Sequence, residues 1–238
     1  MNQPDTPVSS TVVRGEGALS RVHELLMTPN FPADELIAVD DLLAGVASGV
    51  AEVRVVGPVD DPIAVAVLET LESTPAVLLA YFATRQDVRG RGVGSALLQE
   101  LLRGIRADAP GTVVLAEVEH PGYHLAHPMH GDPNARLRFY LRLGGSILDV
   151  PYFQPPIDEG QDPVYGMLLL ALDPPAELVR AGRLVPEAGL VAALETIMSA
   201  ADRARHPVAE VLHAAAVPDG VRLLDLDQLA EAPVLLGP

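Results

Sequence analysis

Between an apolar run at Ala76–Thr84 and an amphipathic run at Gly92–Arg106 stands the segment Arg89-Gly90-Arg91-Gly92-Val93-Gly94-Ser95. The first run has strand composition. The second carries Val93, Leu97, Leu98, Leu101 and Ile105 on one helical face, with Gln99, Arg103 and Arg106 on the other, and Pro110-Gly111 ends it. The next β-rich run, Thr112–Glu119, follows a helix long enough for a crossover, which predicts that it lies parallel to the strand before the loop. A helix start has backbone N–H groups without intrahelical acceptors and a positive dipole end. Glycines let such a loop approach an anion closely, and Arg89 and Arg91 add permanent charge with planar donors. A pyrophosphate is the guest that this combination predicts.

The remaining segments set that unit in a larger plan. Two amphipathic stretches, Leu19–Met27 and Asp34–Val46, are expected helices, the second bracketed by Pro32 and Gly49. Strand-like runs at Ala51–Val56, Ile63–Leu68 and Ala76–Thr84 are separated by turns at Gly57-Pro58, Asp61-Pro62 and Ser73-Thr74-Pro75, which favours an antiparallel meander. After the parallel strand come a loop rich in His, Pro and Gly, a short helix at Asn134–Leu143 stopped by Gly144-Gly145, and strands at Ile147–Phe153 and Val164–Leu172. The expected class is α+β, a mixed and mostly antiparallel central sheet flanked by helices. From Asp173 onward Ala-rich helices, such as Leu190–Arg203 and Val208–Ala215, predict a helical extension over 173–238 beyond a principal domain at 1–172. There Leu190, Leu194 and Ile197 could cover a sheet edge or pair two subunits as a homodimer.

Composition narrows the chemistry. No cysteine excludes disulfides and thiolate nucleophiles or ligands, and all sixteen positive side chains are Arg, so no lysine is available for a Schiff base or a P-loop. The net charge of −16 opposes nucleic-acid binding and favours cationic partners such as amines. Charges, Gly and Pro interrupt every apolar run short of a membrane span, and the start MNQPDTPVSS lacks the pattern of a secretory signal, so the expected compartment is the cytoplasm with no membrane association.

Three readings of the loop compete: a glycine turn that merely starts a helix, a dinucleotide-binding loop, and a coenzyme A loop. Glu117 lies roughly twenty residues on, where a dinucleotide fold places its ribose ligand. Against that fold stand the charged tract Arg85-Gln86-Asp87 before the glycines, a mid-chain position after three antiparallel-looking strands, and a glycine spacing one residue too short. Arg89-Gly90-Arg91-Gly92-Val93-Gly94 instead resembles the Q/R-x-x-G-x-G/A signature of the GCN5-related N-acetyltransferases (GNAT). Arg138-Phe139-Tyr140-Leu141-Arg142-Leu143-Gly144 is similar to that family's later aromatic and tyrosine segment, and the order of elements over residues 10–172 also matches.

The resemblance implies transfer of an acetyl or short acyl group from acetyl-CoA to an amine, by direct attack in a ternary complex and with no metal. It implies that backbone groups of Phe82, Ala83 and Thr84 bind the pantetheine arm, that Arg89, Gly90, Arg91, Gly92, Val93, Gly94 and Ser95 hold the pyrophosphate, and that Tyr140 is the acid for the leaving thiolate. Glu117 and Glu119 alternate along one strand and share a face, where they could bind an ammonium group or relay its proton. Asn134 lies six residues before Tyr140 rather than the family's seven, which puts a cofactor role for it in doubt. His120, His124, His127 and His130 crowd one loop without a regular element to converge them on a metal, although His120 or His124 could act as a base. Tyr152, Phe153, Gln154 and Pro155 would border the acceptor groove. The expected acceptor is a small-molecule or peptide amine. The rival in another class is a silent acyl-CoA sensor or interaction module with the same fold.

Overall fold

In the computed structural model the described residues are 9–33, 35–157, 161–201, 203 and 206–237. They form two compact units, one comprising the described residues to Glu69 together with Leu79–Asp108, the other Thr70–Leu78 with Ala109 onward.

In the first unit, β1 (Ser10–Val12), β2 (Ala51–Val56), β3 (Ala64–Thr70) and the later part of β4 (Ala76–Thr84) are neighbours in that order, and β1, β2 and β3 are antiparallel. Alternation sends Val53 and Val55, Val65 and Val67, and Tyr81 and Ala83 into one core. Helices α1 (Glu16–Val22), continued by a π-helical turn at His23–Met27, and α2 (Val39–Ser48) supply Leu19, Val22, Leu26, Met27 and Leu42 to it. Ala64, Ala66 and Leu68 are buried as well, so both faces of β3 are covered. The amphipathic run after the loop is α3 (Val93–Asp108), with Leu97, Leu98, Leu101 and Leu102 buried. Its Glu100 carboxylate accepts from the Ser10 N–H at 2.9 Å, which fastens β1.

The short strand β1 was not foreseen, because three residues give no period. The second helix starts at Val39 rather than in the mid-thirties; Asp34 itself lies outside the described residues. Tyr81 accounts for the late start: its hydroxyl accepts from the Ile37 N–H at 2.9 Å and donates to the Glu35 carbonyl at 3.1 Å, fixing Glu35–Ile37 as irregular chain.

In the second unit, β5 (Val113–Glu119) pairs in parallel with Ala76–Leu78 of β4 and antiparallel with β8 (Val164–Leu172), as the crossover argument required. Helix α4 (Pro133–Arg142) packs against β5. The expected strand at Ile147–Phe153 is instead two, β6 (Ser146–Leu148) and β7 (Tyr152–Gln154), both paired with β8. Pro151 falls between them, where the missing N–H cannot continue a ladder.

Residues beyond 173 hold more than helices. Besides α5 (Leu190–Ile197) and α6 (Val208–Ala215) there are β9 (Val179–Arg180), β10 (Arg183–Leu184) and β11 (Val221–Leu224), and β11 pairs with β6. The change of composition at Asp173 is therefore not where the compact units part. Leu190 and Leu194 are buried, because α5 packs on α6, so neither is exposed to pair subunits. No described helix is long and apolar enough to cross a membrane.

Candidate active site

In the first unit, β4 ends at Thr84 and Arg85 is clamped by Asp61 and Asp87, at 2.5 and 2.7 Å. A single 3-10 turn, Gln86–Val88, seats the buried Val88, and the chain then passes through two left-handed positions, Gly90 (φ 77°) and Gly92 (φ 83°). Those angles strain any residue with a Cβ, which gives a physical reason for two of the three alternating glycines. The first bond of α3 runs from the Ala96 N–H to the Gly92 carbonyl at 2.9 Å. The amides of Val93, Gly94 and Ser95 therefore belong to the first turn, with no carbonyl a turn back to accept them, at the positive end of a 16-residue helix.

Arg91 is exposed at this turn. Arg89 is half committed: it donates to the Asn30 Oδ1 at 2.6 Å and to the Thr84 carbonyl at 3.3 Å. Asn30 is buried and donates in turn to the Leu26 carbonyl at 2.7 Å, so the end of the first helical segment holds one of the two loop guanidiniums. Sequence reading missed Asn30 because no motif links Thr28-Pro29-Asn30 to a loop some sixty residues on. Of the strand residues, Ala83 points into the core, while Phe82 and Thr84 are half-buried and alternate to the opposite face.

In the second unit, Glu117 and Glu119 do share a face of β5, and both are half-buried. Their partners differ. Glu119 receives Arg136 of α4 at 2.8 Å, and His124 Nδ1 stands 3.5 Å away, so this carboxylate sits in an ion pair. Glu117 accepts from the Tyr152 hydroxyl at 2.5 Å. Tyr152 is fully buried; burial first, then the Glu117 charge, pushes its phenol well above the usual tyrosine range, so it remains a donor.

Tyr140 lies on the buried face of α4 with Leu137. The helix opens with Asp132 as its cap, accepting from the Asn134 N–H at 2.9 Å, and Pro133 in its first turn. Asn134 is exposed in that turn. The helix closes where Gly145 comes so near the Tyr140 carbonyl that a Cβ would lie 2.8 Å from it. Burial pushes the Tyr140 phenol up to about 12, with Arg136 pulling the other way. At neutral pH the phenol is protonated.

The histidines do not converge. His120 is buried, its Nδ1 accepts from the Gly122 N–H at 3.0 Å, and burial lowers its pKa. His124 is tied through Nε2 to the Tyr165 carbonyl at 2.8 Å. His127 and His130 stack with centroids 4.4 Å apart. Among the described residues no three metal-capable side chains gather.

No protein-family profile matches the sequence, and no curated protein matches it. Solved structures do. A structure from Bacteroides thetaiotaomicron assigned to the GNAT acetyltransferase family is 22% identical with a TM-score of 0.55, over 69% of this chain and 86% of that one. Ribosomal-protein-alanine N-acetyltransferase from Brucella melitensis is 15% identical over 69% of this chain and 98% of its own, with a TM-score of 0.48. The fold of this chain is the GCN5-related N-acetyltransferase fold, an α+β mixed sheet with flanking helices.

Proposed function

We propose that the protein is an acyl-CoA-dependent N-acyltransferase that moves an acetyl or short acyl group to an amine. The observation that carries this reading is the loop from Arg89 to Ser95, where two left-handed glycines deliver the chain to the first-turn amides of α3 beside Arg91. In this reading those amides and the loop arginines hold the diphosphate of coenzyme A, and the backbone of Phe82, Ala83 and Thr84 lies along the pantetheine arm. The amine nitrogen attacks the thioester carbon, the C–S bond breaks as the intermediate collapses, and the Tyr140 phenol gives its proton to the leaving sulfur. Its high pKa keeps it protonated through the physiological range. Glu117 takes the proton that the amine must lose. Glu119, paired with Arg136, holds the strand end to α4 rather than acting as a second base.

The test is release of free thiol from acetyl-CoA in the presence of a panel of amines and basic peptides, with unaltered protein and Tyr140→Phe. The expected result is turnover in the first, and in the second a kcat lower by a factor on the order of 100 to 1,000 with acetyl-CoA affinity retained. Binding of acetyl-CoA without turnover on any acceptor would favour a silent sensor instead.

A further inference from the structure

Tyr152 was expected to border the acceptor groove at a strand end; its surroundings give it a more definite task. We infer that Tyr152 is a positioning residue for Glu117, a buried hydroxyl that fixes one oxygen of the carboxylate and so sets the pH range in which that carboxylate can accept the proton of the attacking amine. This rests on the N-acyltransferase reading above.

The placement follows from strand register. Glu117 lies opposite Leu169 on β8, Glu119 opposite Met167, and Tyr152 of β7 opposite the same Met167, so Tyr152 reaches Glu117 diagonally across one strand. The bond between them is 2.5 Å long, and Tyr152 has no exposed surface. Pro151 interrupts the chain between β6 and β7, and Phe153 is buried beside it, so the ring enters the core on a short strand of its own. A buried phenol needs an acceptor, and here the acceptor is a half-buried carboxylate rather than a backbone carbonyl, so the bond acts on the charge of Glu117 as well as on the packing of Tyr152.

Among the described residues, the charged and titratable groups on elements around β5 have the following placements. Glu119 pairs with Arg136, His124 is bound to the Tyr165 carbonyl, and His120 is engaged with Gly122. Tyr140 of α4 is buried and protonated, whereas Arg138 and Arg142 are exposed on its outer side. On β8 the residues opposite are the apolar Leu169 and Met167, and Tyr165 donates or accepts at His206 at 3.1 Å. A hydrogen bond donated to the charged carboxylate favours that form, so removing it moves carboxylate formation to higher pH.

The experiment is the pH profile of kcat/KM for thiol release by unaltered protein, Tyr152→Phe and Glu117→Gln. Tyr152→Phe should move the acid limb upward by about one pH unit, lower kcat more than it raises KM for acetyl-CoA, and leave the acetyl-CoA thermal shift in place. Glu117→Gln should remove the limb, and adding Tyr152→Phe to it should change nothing further. If Tyr152→Phe does not fold, 3-fluorotyrosine placed at 152, a stronger donor of nearly the same shape, should move the limb to lower pH. Turnover by unaltered protein together with an unmoved limb overturns the role of Tyr152 alone. Absence of turnover with every acceptor overturns the enzymatic reading and this inference with it.

Discussion

The Arg89–Ser95 loop and the Glu117–Glu119 strand were both marked by residue type and spacing, yet the structure treats them differently. In the loop the groups proposed to bind are backbone amides, and they are fixed by two positive φ angles and the start of a helix. On the strand the decisive groups are side chains whose character is set by partners 17 and 35 residues away, Arg136 for Glu119 and Tyr152 for Glu117. Two carboxylates that look equivalent in sequence thus become an ion-paired tie and a phenol-bound acceptor. A proposed site made of main chain is local and legible, whereas one made of charged side chains depends on what the fold brings alongside.

The largest effect expected from breaking that contrast is at Gly92. Gly92→Glu forces a Cβ into φ 83° and places a carboxylate where an anion would bind, so the Kd for acetyl-CoA measured by calorimetry should rise on the order of 100-fold, about 2.7 kcal/mol. Unchanged affinity would remove the loop from the binding site.

A smaller effect probes whether the loop is as local as it looks. Asn30→Ala removes both the Arg89 and the Leu26 bonds, which should cost about 1–2 kcal/mol of stability in urea unfolding and weaken acetyl-CoA binding by several-fold. A loss of stability without any loss of affinity would mean that Arg89 does not need this buttress to serve an anion.

The smallest effect concerns His120 at the end of the strand. Burial lowers its pKa, so its neutral form is favoured in the folded state. Its stabilising contribution is full above the ordinary imidazole value and is lost as the pH falls through the lower, folded value. The melting temperature of unaltered protein should therefore fall by a few degrees more than that of His120→Gln on going from about pH 7.5 to about pH 5. Parallel curves would show that His120 is not the group titrating.

Legibility followed the same division. Strands Ala51–Val56, Ala76–Thr84 and Val164–Leu172 were readable to the residue because turn signals bound them, and the crossover rule gave the parallel pairing of Ala76–Leu78 with Val113–Leu115. The break at Pro151 was missed although the proline was visible, because the apolar run continues across it. The start of α2 was hidden because the Tyr81 hydroxyl, 44 residues on, competes for the Ile37 amide. In the site, the glycines announced themselves, but Asn30 beneath Arg89 and Tyr152 beside Glu117 could not, since nothing in their neighbours' identities refers to those distant partners.

The pairing of β11 with β6 makes the last sixty-odd residues something other than an appendage. Cutting the chain near Asp173 would leave Ile147 and Leu148 as a raw margin, a row of amide and carbonyl groups inviting the margin of another molecule. The tail works as a selvedge, the woven border that keeps the fabric from fraying.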